Sequence, residues 1–441
     1  MMRKNQEIEL TIHDLHSNGF GVGRSEIAIF VEGALPGDHV RVKILKVKKQ
    51  YAYGKIMEII KPSPNRLVKK DPRICPVAKR CGGCQFQHLE YPAQLAFKEK
   101  LVRDVLIRIG KCETPPVAPI LGMEGAPYNY RNKAQLPVGS EDGKPLIGFY
   151  APRSHRIVPI YDCNIQHPVC GEIIKAAERL YDEKIHKNLL RHIVIKTGFN
   201  TGEVMVVLVL NGSALPYAEA WIKELQAISP DFTLVINKNN ANTNVIFGPE
   251  FTTLYGSGYI FEEVGGIRFR ISPKAFFQIN TVQMKVLYDV AAGHLTGNER
   301  VIDAFSGIGS IALYVAKKAQ KVTGVEVVQE AKDDATYNAA HNGIKNVEFI
   351  CGMAEDVVPD LLESNDVLIL DPPRKGCDVR LLESVIKAGI AKVIYVSCDP
   401  ATLARDVKIL TDGGYMLKHV QPVDMFPMTG HVETVSLLTK I

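Results

Sequence analysis

The sequence predicts an α/β protein in three parts. A Rossmann-like, helix-flanked parallel sheet forms the C-terminal part, a small OB-like β-barrel the N-terminal part, and an α+β domain lies between them. Three observations carry this. From residue 300 onward, strand-like and helix-like runs alternate regularly, as in a parallel sheet with helices on both faces. Residues 7–60 instead show short β-like alternation broken by turn residues. The chain has 441 residues, room for two to four domains of about 100–200 residues each. The boundaries read from these shifts are 1–62, 63–265 and 266–441.

Hydrophobic residues at 46% and charged ones at 23% are ordinary globular values, which excludes wholesale disorder and fibrous repeats. The longest clean apolar run, Val204–Leu210, has seven residues, whereas a membrane-spanning helix needs about 20. Residues 1–10 carry Arg3, Lys4, Glu7 and Glu9 with no apolar core, so no secretory leader is expected. A reducing, cytoplasmic location follows, where nine cysteines point to metal binding or catalysis rather than disulfides. Residues 1–70 hold 13 Lys and Arg against 7 Asp and Glu, a net of +6, so the remaining 371 residues sum to −1. That asymmetry suits either a polyanion-binding appendage or a plain solvated basic face.

In the barrel region Ile8, Leu10 and Ile12 alternate with polar residues, as do Ile27, Ile29 and Val31, then Val40, Val42 and Ile44. Turns are expected at Asn18-Gly19, Gly21, Gly23 and Leu35-Pro36-Gly37-Asp38. The run Gly19-Phe20-Gly21-Val22-Gly23, followed by Phe30-Val31 and Pro36-Gly37-Asp38, resembles a TRAM domain. That resemblance implies RNA binding. Residues 61–76, rich in Pro and basic side chains, read as a linker. Tyr91-Pro92 introduces a helix over 93–109 with Leu101, Val105 and Ile109 on one face and Gly110 as its stop. This helix is assigned to the central domain, with the catalytic domain as its alternative packing partner. Strands are expected at 193–196, Val204–Leu210 and 233–237, and a helix near 173–181.

In an open parallel sheet the ligand sits outside the carboxyl ends of the strands, so the chemistry is sought there. The strand over 300–305 ends in Asp303-Ala304-Phe305-Ser306-Gly307-Ile308-Gly309. Gly307 and Gly309 permit a tight turn and close ligand approach. With Ala312 they match G-x-G-x-x-A, which describes dinucleotide and adenosyl sites alike. Glu326, ending the next strand, offers an acceptor pair for ribose hydroxyls in either case. Asp303 separates the two: a carboxylate there repels a pyrophosphate but accepts from an ammonium. The fourth strand ends in Asp371-Pro372-Pro373-Arg374, where the prolines fix the turn and hold a carboxylate at the sheet's mouth. These motifs resemble those of class I S-adenosylmethionine-dependent methyltransferases, whose amine-methylating members more typically carry Asn at the position of Asp371.

The fifth strand, 392–397, ends Ser397-Cys398-Asp399-Pro400. Asp399 and Thr402 can cap a helix over 400–410, whose field favours a Cys398 thiolate. A cysteine at a strand end can equally be a small buried hydrophobe. A thiolate beside a methyl donor suits C5 of a pyrimidine. That carbon is a poor nucleophile until a thiolate adds at C6, and a base must afterwards remove the C5 proton. Glu433 in Gly430-His431-Val432-Glu433-Thr434 is the base expected, ahead of His431.

These residues resemble the RNA uracil-5-methyltransferases. Ser397-Cys398-Asp399-Pro400-Ala401-Thr402 is similar to the family's nucleophile motif, and His431-Val432-Glu433-Thr434 to its base motif. Phe276-Phe277-Gln278-Ile279-Asn280 is similar to the motif that precedes its sheet domain. The resemblance implies cofactor contacts from Gln278, Phe305, Glu326 and Asp371, and a pocket into which the target uridine flips. Two positions depart from the family pattern: Ser310, where Asn is frequent, and Met353, where a polar cofactor contact is expected.

Cys75, Cys81 and Cys84, with Cys163 downstream, supply four thiolates. By spacing alone they suit zinc or a [4Fe–4S] cluster. Resemblance to the 23S rRNA members of the family implies the [4Fe–4S] cluster, with Cys170 a bystander. It also implies the function: an S-adenosylmethionine-dependent 23S rRNA uracil-C5 methyltransferase, with no membrane and no obligatory protein partner. The same chemistry on a tRNA uridine, an NAD-dependent oxidoreductase, and a non-catalytic RNA-binding protein are the rivals.

Overall fold

The computed structural model describes residues 2–68 and 71–441, so Lys69 and Lys70 of the basic N-terminal excess lie outside it. Strands β1 (Glu7–Leu15), β2 (Phe20–Arg24), β3 (Ala28–Glu32), β4 (His39–Val47) and β5 (Tyr51–Lys61) close into a barrel of order β1-β2-β3-β5-β4. Leu10, Ile12, Ile29, Val31, Val40, Val42, Ile44 and Ala52 fill it. Asn18-Gly19 and Pro36-Gly37 lie at turns as expected, but Gly21 and Gly23 are part of strand β2. A Cβ on Gly23 would lie 1.8 Å from Leu10 Cδ1, and one on Gly21 2.6 Å from the Ala34 carbonyl oxygen. Only glycine fits there, so β2 has no alternating apolar signal.

The stretch read as a linker is anchored. Lys61 ends β5, and Arg66 pairs with the fully buried Asp38, which also accepts from the Ser63 and Leu35 amides. Helix α1 (Tyr91–Arg108) follows. Its buried residues are Gln94, Phe97, Lys98, Val102 and Leu106. The apolar stripe of Leu101, Val105 and Ile109 is therefore displaced: Leu101 and Val105 are only partly buried and Ile109 is exposed. Polar side chains take the inward positions, Gln94 bonding the Phe86 and Leu89 carbonyls and Lys98 pairing with buried Asp424. Apolar spacing cannot reveal such a face. Val102 and Leu106 pack with Leu403, Ala404 and Val407, so α1 belongs to the catalytic core although it lies far from it in sequence.

The central domain is a seven-stranded sheet of order β12-β11-β10-β9-β6-β7-β8. Its strands are β6 (Lys133–Glu141), β7 (Lys144–Tyr150), β8 (Ile157–Pro159), β9 (Leu190–Thr197), β10 (Val204–Leu210), β11 (Phe232–Lys238) and β12 (Glu250–Tyr255). Helices α2 (Val169–Leu180), α3 (Glu183–His186) and α4 (Ala218–Ile228) accompany it. Hairpin β13 (Ile260–Val264) and β14 (Ile267–Ile271) turns at Gly265-Gly266, both at positive φ. The boundary drawn at 265/266 therefore splits a paired hairpin, whose residues share one core with both sheets.

The C-terminal sheet contains β15 (Arg300–Asp303), β16 (Lys321–Glu326), β17 (Val347–Cys351), β18 (Val367–Leu370), β19 (Lys392–Ser397), β20 (Tyr415–Val423) and β21 (Glu433–Lys440). Its order is β17-β16-β15-β18-β19-β21-β20, with β21 antiparallel to both neighbours. Helices α5 (Thr281–Gly293), α6 (Ser310–Val315), α7 (Gln329–His341), α8 (Ala354–Leu361), α9 (Val379–Ala388) and α10 (Pro400–Asp412) complete it. Among the described residues no helix is long and apolar enough to cross a membrane.

Candidate active site

Because β21 runs against β19, its first residues meet the last residues of β19. Ser397 pairs with Thr434, which brings the next residues outward, Cys398 and Glu433, to the same edge of the sheet. Asp371, just past β18, joins them. Their charges reach one another: the Cys398 thiol is pushed up to about 12 by burial, then by Glu433 and Asp371, with Arg374 opposing. Glu433 is 3% exposed, its Oε2 has no hydrogen-bond partner, and burial with Asp371 holds its carboxyl well above the usual range. It is no exposed rim residue. His431, the competing base, stays open to solvent at the rim, and partial desolvation of its ring together with the charge of Arg374 holds its pKa below the ordinary value.

The expected thiolate is thus not favoured by the protein alone. The first amides of α10 are taken by Asp399 Oδ1, which accepts from Ala401 and Thr402 at 2.8 and 3.3 Å. Little of the helix field is left for Cys398, and two carboxylates face it.

The adjoining strand ends form a second cluster. Asp303 is fully buried; neither carboxylate oxygen has a well-formed hydrogen bond, although the Phe305 and Ala312 amides lie close enough to oppose the rise in its pKa. Burial and Asp371 raise it to about 7, and burial alone takes Asp371 to about 7. Tyr288 on α5, buried and facing Asp371, Asp303 and Glu433, donates to Ser310 Oγ at 2.8 Å. The position where asparagine is frequent in the family is thus a serine satisfied by a tyrosine. Gly307, at φ +53°, has open space where a Cβ would be, and Gly309, at φ +82°, packs against Phe349. Glu326 accepts from the Gly307 and Val328 amides at 2.9 and 2.8 Å, leaving each oxygen a further lone pair. Phe305 is half-buried. Val327, Val328 and Met353, past β16 and β17, are exposed apolar side chains at 60%, 39% and 47%.

Gln278 is buried beneath this edge, and its carbonyl accepts from Asn132 Nδ2 at 2.8 Å. The loop before it is fastened by Lys196 of β9, whose ammonium donates to the Ser272 and Ala275 carbonyls, each at 2.9 Å. Asn280 caps α5 and donates to the Met425 carbonyl. Sequence reasoning missed Lys196 and Tyr288, because both lie at positions that read as ordinary strand and helix. Arg374 was visible, directly after the prolines.

The donor set fits S-adenosylmethionine. Asp303 offers two unpaired oxygens for an ammonium, Gly307 leaves the backbone open to close approach, and Glu326 retains acceptors for a ribose.

Cys75, Cys81, Cys84 and Cys163 are free thiols that interact electrostatically with one another, and burial raises Cys84 to about 12. The Gly83 amide and Gln87 Nε2 donate to Cys81 and Cys84 sulfurs, each at 3.4 Å. Cys170 lies nearby in the α2 core. Among the described residues no group of three or more His, Cys, Asp or Glu side chains is arranged to hold a metal ion.

The sheet order, the glycine turn after its first strand and the acidic strand ends define a class I S-adenosylmethionine-dependent methyltransferase. More narrowly, the chain belongs to the tRNA (uracil-5-)-methyltransferase family, whose model matches residues 128–441. A TRAM domain model matches residues 3–57. The chain is 46% identical to an uncharacterized RNA methyltransferase of Halalkalibacterium halodurans, covering 99% of this chain and 98% of the relative. It is 45% identical to one of Clostridium tetani, covering 99% and 97%. Among solved structures it is similar to the Pyrococcus abyssi tRNA (uracil-54, C5)-methyltransferase in complex with S-adenosyl-L-homocysteine. That match has a TM-score of 0.78 and 28% identity, and covers 98% of this chain and 99% of that one. The nicotinamide reading of the glycine motif falls with this.

Proposed function

We propose that the protein transfers a methyl group from S-adenosylmethionine to C5 of a uridine in 23S rRNA, in the cytoplasm, through a covalent Cys398–C6 adduct. The observation that carries this is the meeting of Cys398, Glu433 and Asp371 at one sheet edge, with the second oxygen of Glu433 unpaired.

The cofactor supplies an electrophilic methyl group. Cys398 adds to C6 of the uracil, and its thiol proton passes to the surrounding carboxylates, whose raised pKa suits them to accept it. The new S–C6 bond gives C5 enolate character, so C5 takes the methyl. Glu433 then removes the C5 proton, and breaking of the S–C6 bond restores the C5=C6 double bond and releases the Cys398 thiolate, which takes back the proton it gave to the carboxylates. Asp371 orients the reacting groups. Gln278, Phe305, Gly307, Gly309, Glu326 and Asp371 hold the cofactor, and Asp303 joins them at its ammonium.

The four thiols Cys75, Cys81, Cys84 and Cys163 are proposed to hold a [4Fe–4S] cluster that organises RNA-contacting loops. Four thiols suit either a cubane cluster or one zinc ion, and the metal content of the purified protein separates the two. Anaerobically purified protein should be brown, absorbing near ~400 nm, and Cys81→Ser should lose that colour. Stoichiometric zinc without iron would reverse the assignment.

A tRNA uridine is the second reading, and the Pyrococcus abyssi tRNA enzyme favours it, because its likeness spans the barrel as well. Incubation with labelled S-adenosylmethionine and unmodified 23S rRNA or bulk tRNA, followed by nucleoside analysis, separates them. 5-Methyluridine in 23S rRNA supports the first reading. Label confined to tRNA supports the second, and no label in either RNA overturns both.

A further inference from the structure

The outward face of the barrel carries an aromatic array that the catalytic chemistry does not use. Phe20 on β2, Phe30 on β3, and Tyr51 and Tyr53 on β5 point away from the barrel core, each half-exposed. Register explains their meeting: Phe30 pairs with Tyr53 across β3 and β5, and Val22 with Phe30 across β2 and β3. The rings lie 5.6–5.9 Å apart, mostly edge to face, and none is stacked parallel on another. Exposed His16 extends the array at 5.8 Å from Phe30. Cations border it: Arg24 on β2 and Lys55 on β5 are exposed, exposed Lys46 on β4 pairs with Tyr53 in register, exposed Lys48 donates its amide to the Tyr51 carbonyl, and Arg153 reaches over Phe20 from the central domain at 5.8 Å.

The chain at one end of the array packs on the catalytic domain. Its first member, His16, precedes Ser17, whose carbonyl sits so close to Gly430 that a Cβ there would lie 1.9 Å from it. Gly430 is three residues from the base Glu433. Partly exposed rings bordered by cations, on a barrel whose Ser17 packs against the segment that leads to Glu433, are the recognition chemistry of unpaired nucleotides.

We infer that Phe20, Phe30, Tyr51, Tyr53 and His16 form a base-stacking platform for the unpaired nucleotides flanking the flipped uridine. The inference rests on the RNA-methyltransferase reading and deepens it, since it assigns the barrel base contacts and not phosphate contacts alone. Stacking tolerates any base, so the platform holds a strand without reading its sequence.

The test is binding of a ten-residue oligouridylate by the full-length protein across a salt series. Phe30→Leu and Tyr53→Leu should each weaken binding about 5- to 100-fold, the range for loss of one base–aromatic stack. The slope of log K against log salt should not change. Lys46→Ala should instead shallow that slope by about one, as loss of a phosphate contact does. Phe30→Trp should bind normally and show quenched fluorescence on binding. Unchanged cofactor affinity in the Leu variants verifies folding. Wild-type affinity in both Leu variants, or equal competition by an RNA duplex of the same length, would overturn the platform. Wild-type 5-methyluridine formation, scored separately, tells that failure from failure of the functional reading.

Discussion

Two seven-stranded sheets lie among the described residues, and their buried polar groups are arranged differently. In the central sheet most find partners. Asn237 bonds the Gly248 and Glu250 carbonyls and the Gly248 amide, Asn239 bonds Val245, Ile246 and Ala241, and Lys196 reaches two carbonyls. The ring of His192 is the exception there. In the catalytic sheet, Asp303, Ser306 and Glu433 are left unpaired at the carboxyl edge of the parallel strands, while His419 and Ser436 are unpaired within β20 and β21. An unpaired buried polar group costs about 1–3 kcal/mol. A cluster of them at one edge marks where the fold gives up stability for a ligand that completes it.

The comparison is broken most severely at the nucleophile. Cys398→Ala should reduce turnover by at least about 10⁴-fold and abolish the covalent RNA adduct on denaturing gels. Glu433→Gln should slow turnover about 10²–10⁴-fold, yet accumulate the methylated adduct, because only proton removal is blocked. Normal turnover in that variant would take Glu433 out of the base role. Asp303→Asn should make the cofactor-free protein more stable while weakening cofactor binding. The sign follows from its raised pKa. Below about pH 4 the carboxyl is protonated folded or unfolded, and as pH climbs toward 7 only the unfolded chain ionises freely. Stability is therefore lost across that window, by at most roughly 4 kcal/mol for this group. Cofactor affinity should rise as pH passes about 7, where the carboxylate forms in the folded protein. Thermal melts at pH 5 and 8 should converge in the variant.

In the central sheet the result should be the reverse. Lys196→Ala leaves two carbonyls unpaired and a cavity, so about 3 kcal/mol is lost and nothing is gained elsewhere. Gly307→Ala is the mildest: there is room for a methyl, but φ of +53° costs about 1 kcal/mol, and the methyl faces the ligand. A melting shift accompanied by a larger loss of cofactor affinity is expected.

What could be read from the sequence follows the same division. Val204–Leu210 and Lys392–Ser397 coincide with their strands, because buried strands are written as apolar runs between turn residues. The strand ends could be read because Asp-Pro-Pro and Ser-Cys-Asp-Pro are unusual strings. Strand β2 could not, since its glycines are set by Leu10 and Ala34 across the barrel. Neither could the inward face of α1, where Gln94 and Lys98 replace apolar residues. The charge state of Cys398 was misjudged because local order shows the helix following it, while Glu433 and Asp371 arrive from other strands.

The ion pair between Lys98 and Asp424 joins residues 326 apart in sequence, and its neighbours Val117 and Leu121 bridge to Val420 and Val423. The catalytic unit is therefore not a continuous stretch of polypeptide. Closing a loop of that length costs roughly 5 kcal/mol of chain entropy, and contacts of such high order form late and slowly. A fragment cut at residue 266 would lack α1 and expose the apolar surface that α1 covers. The segment nearest the barrel is thus the latch that completes the methyltransferase domain, and an excised catalytic domain should aggregate rather than fold.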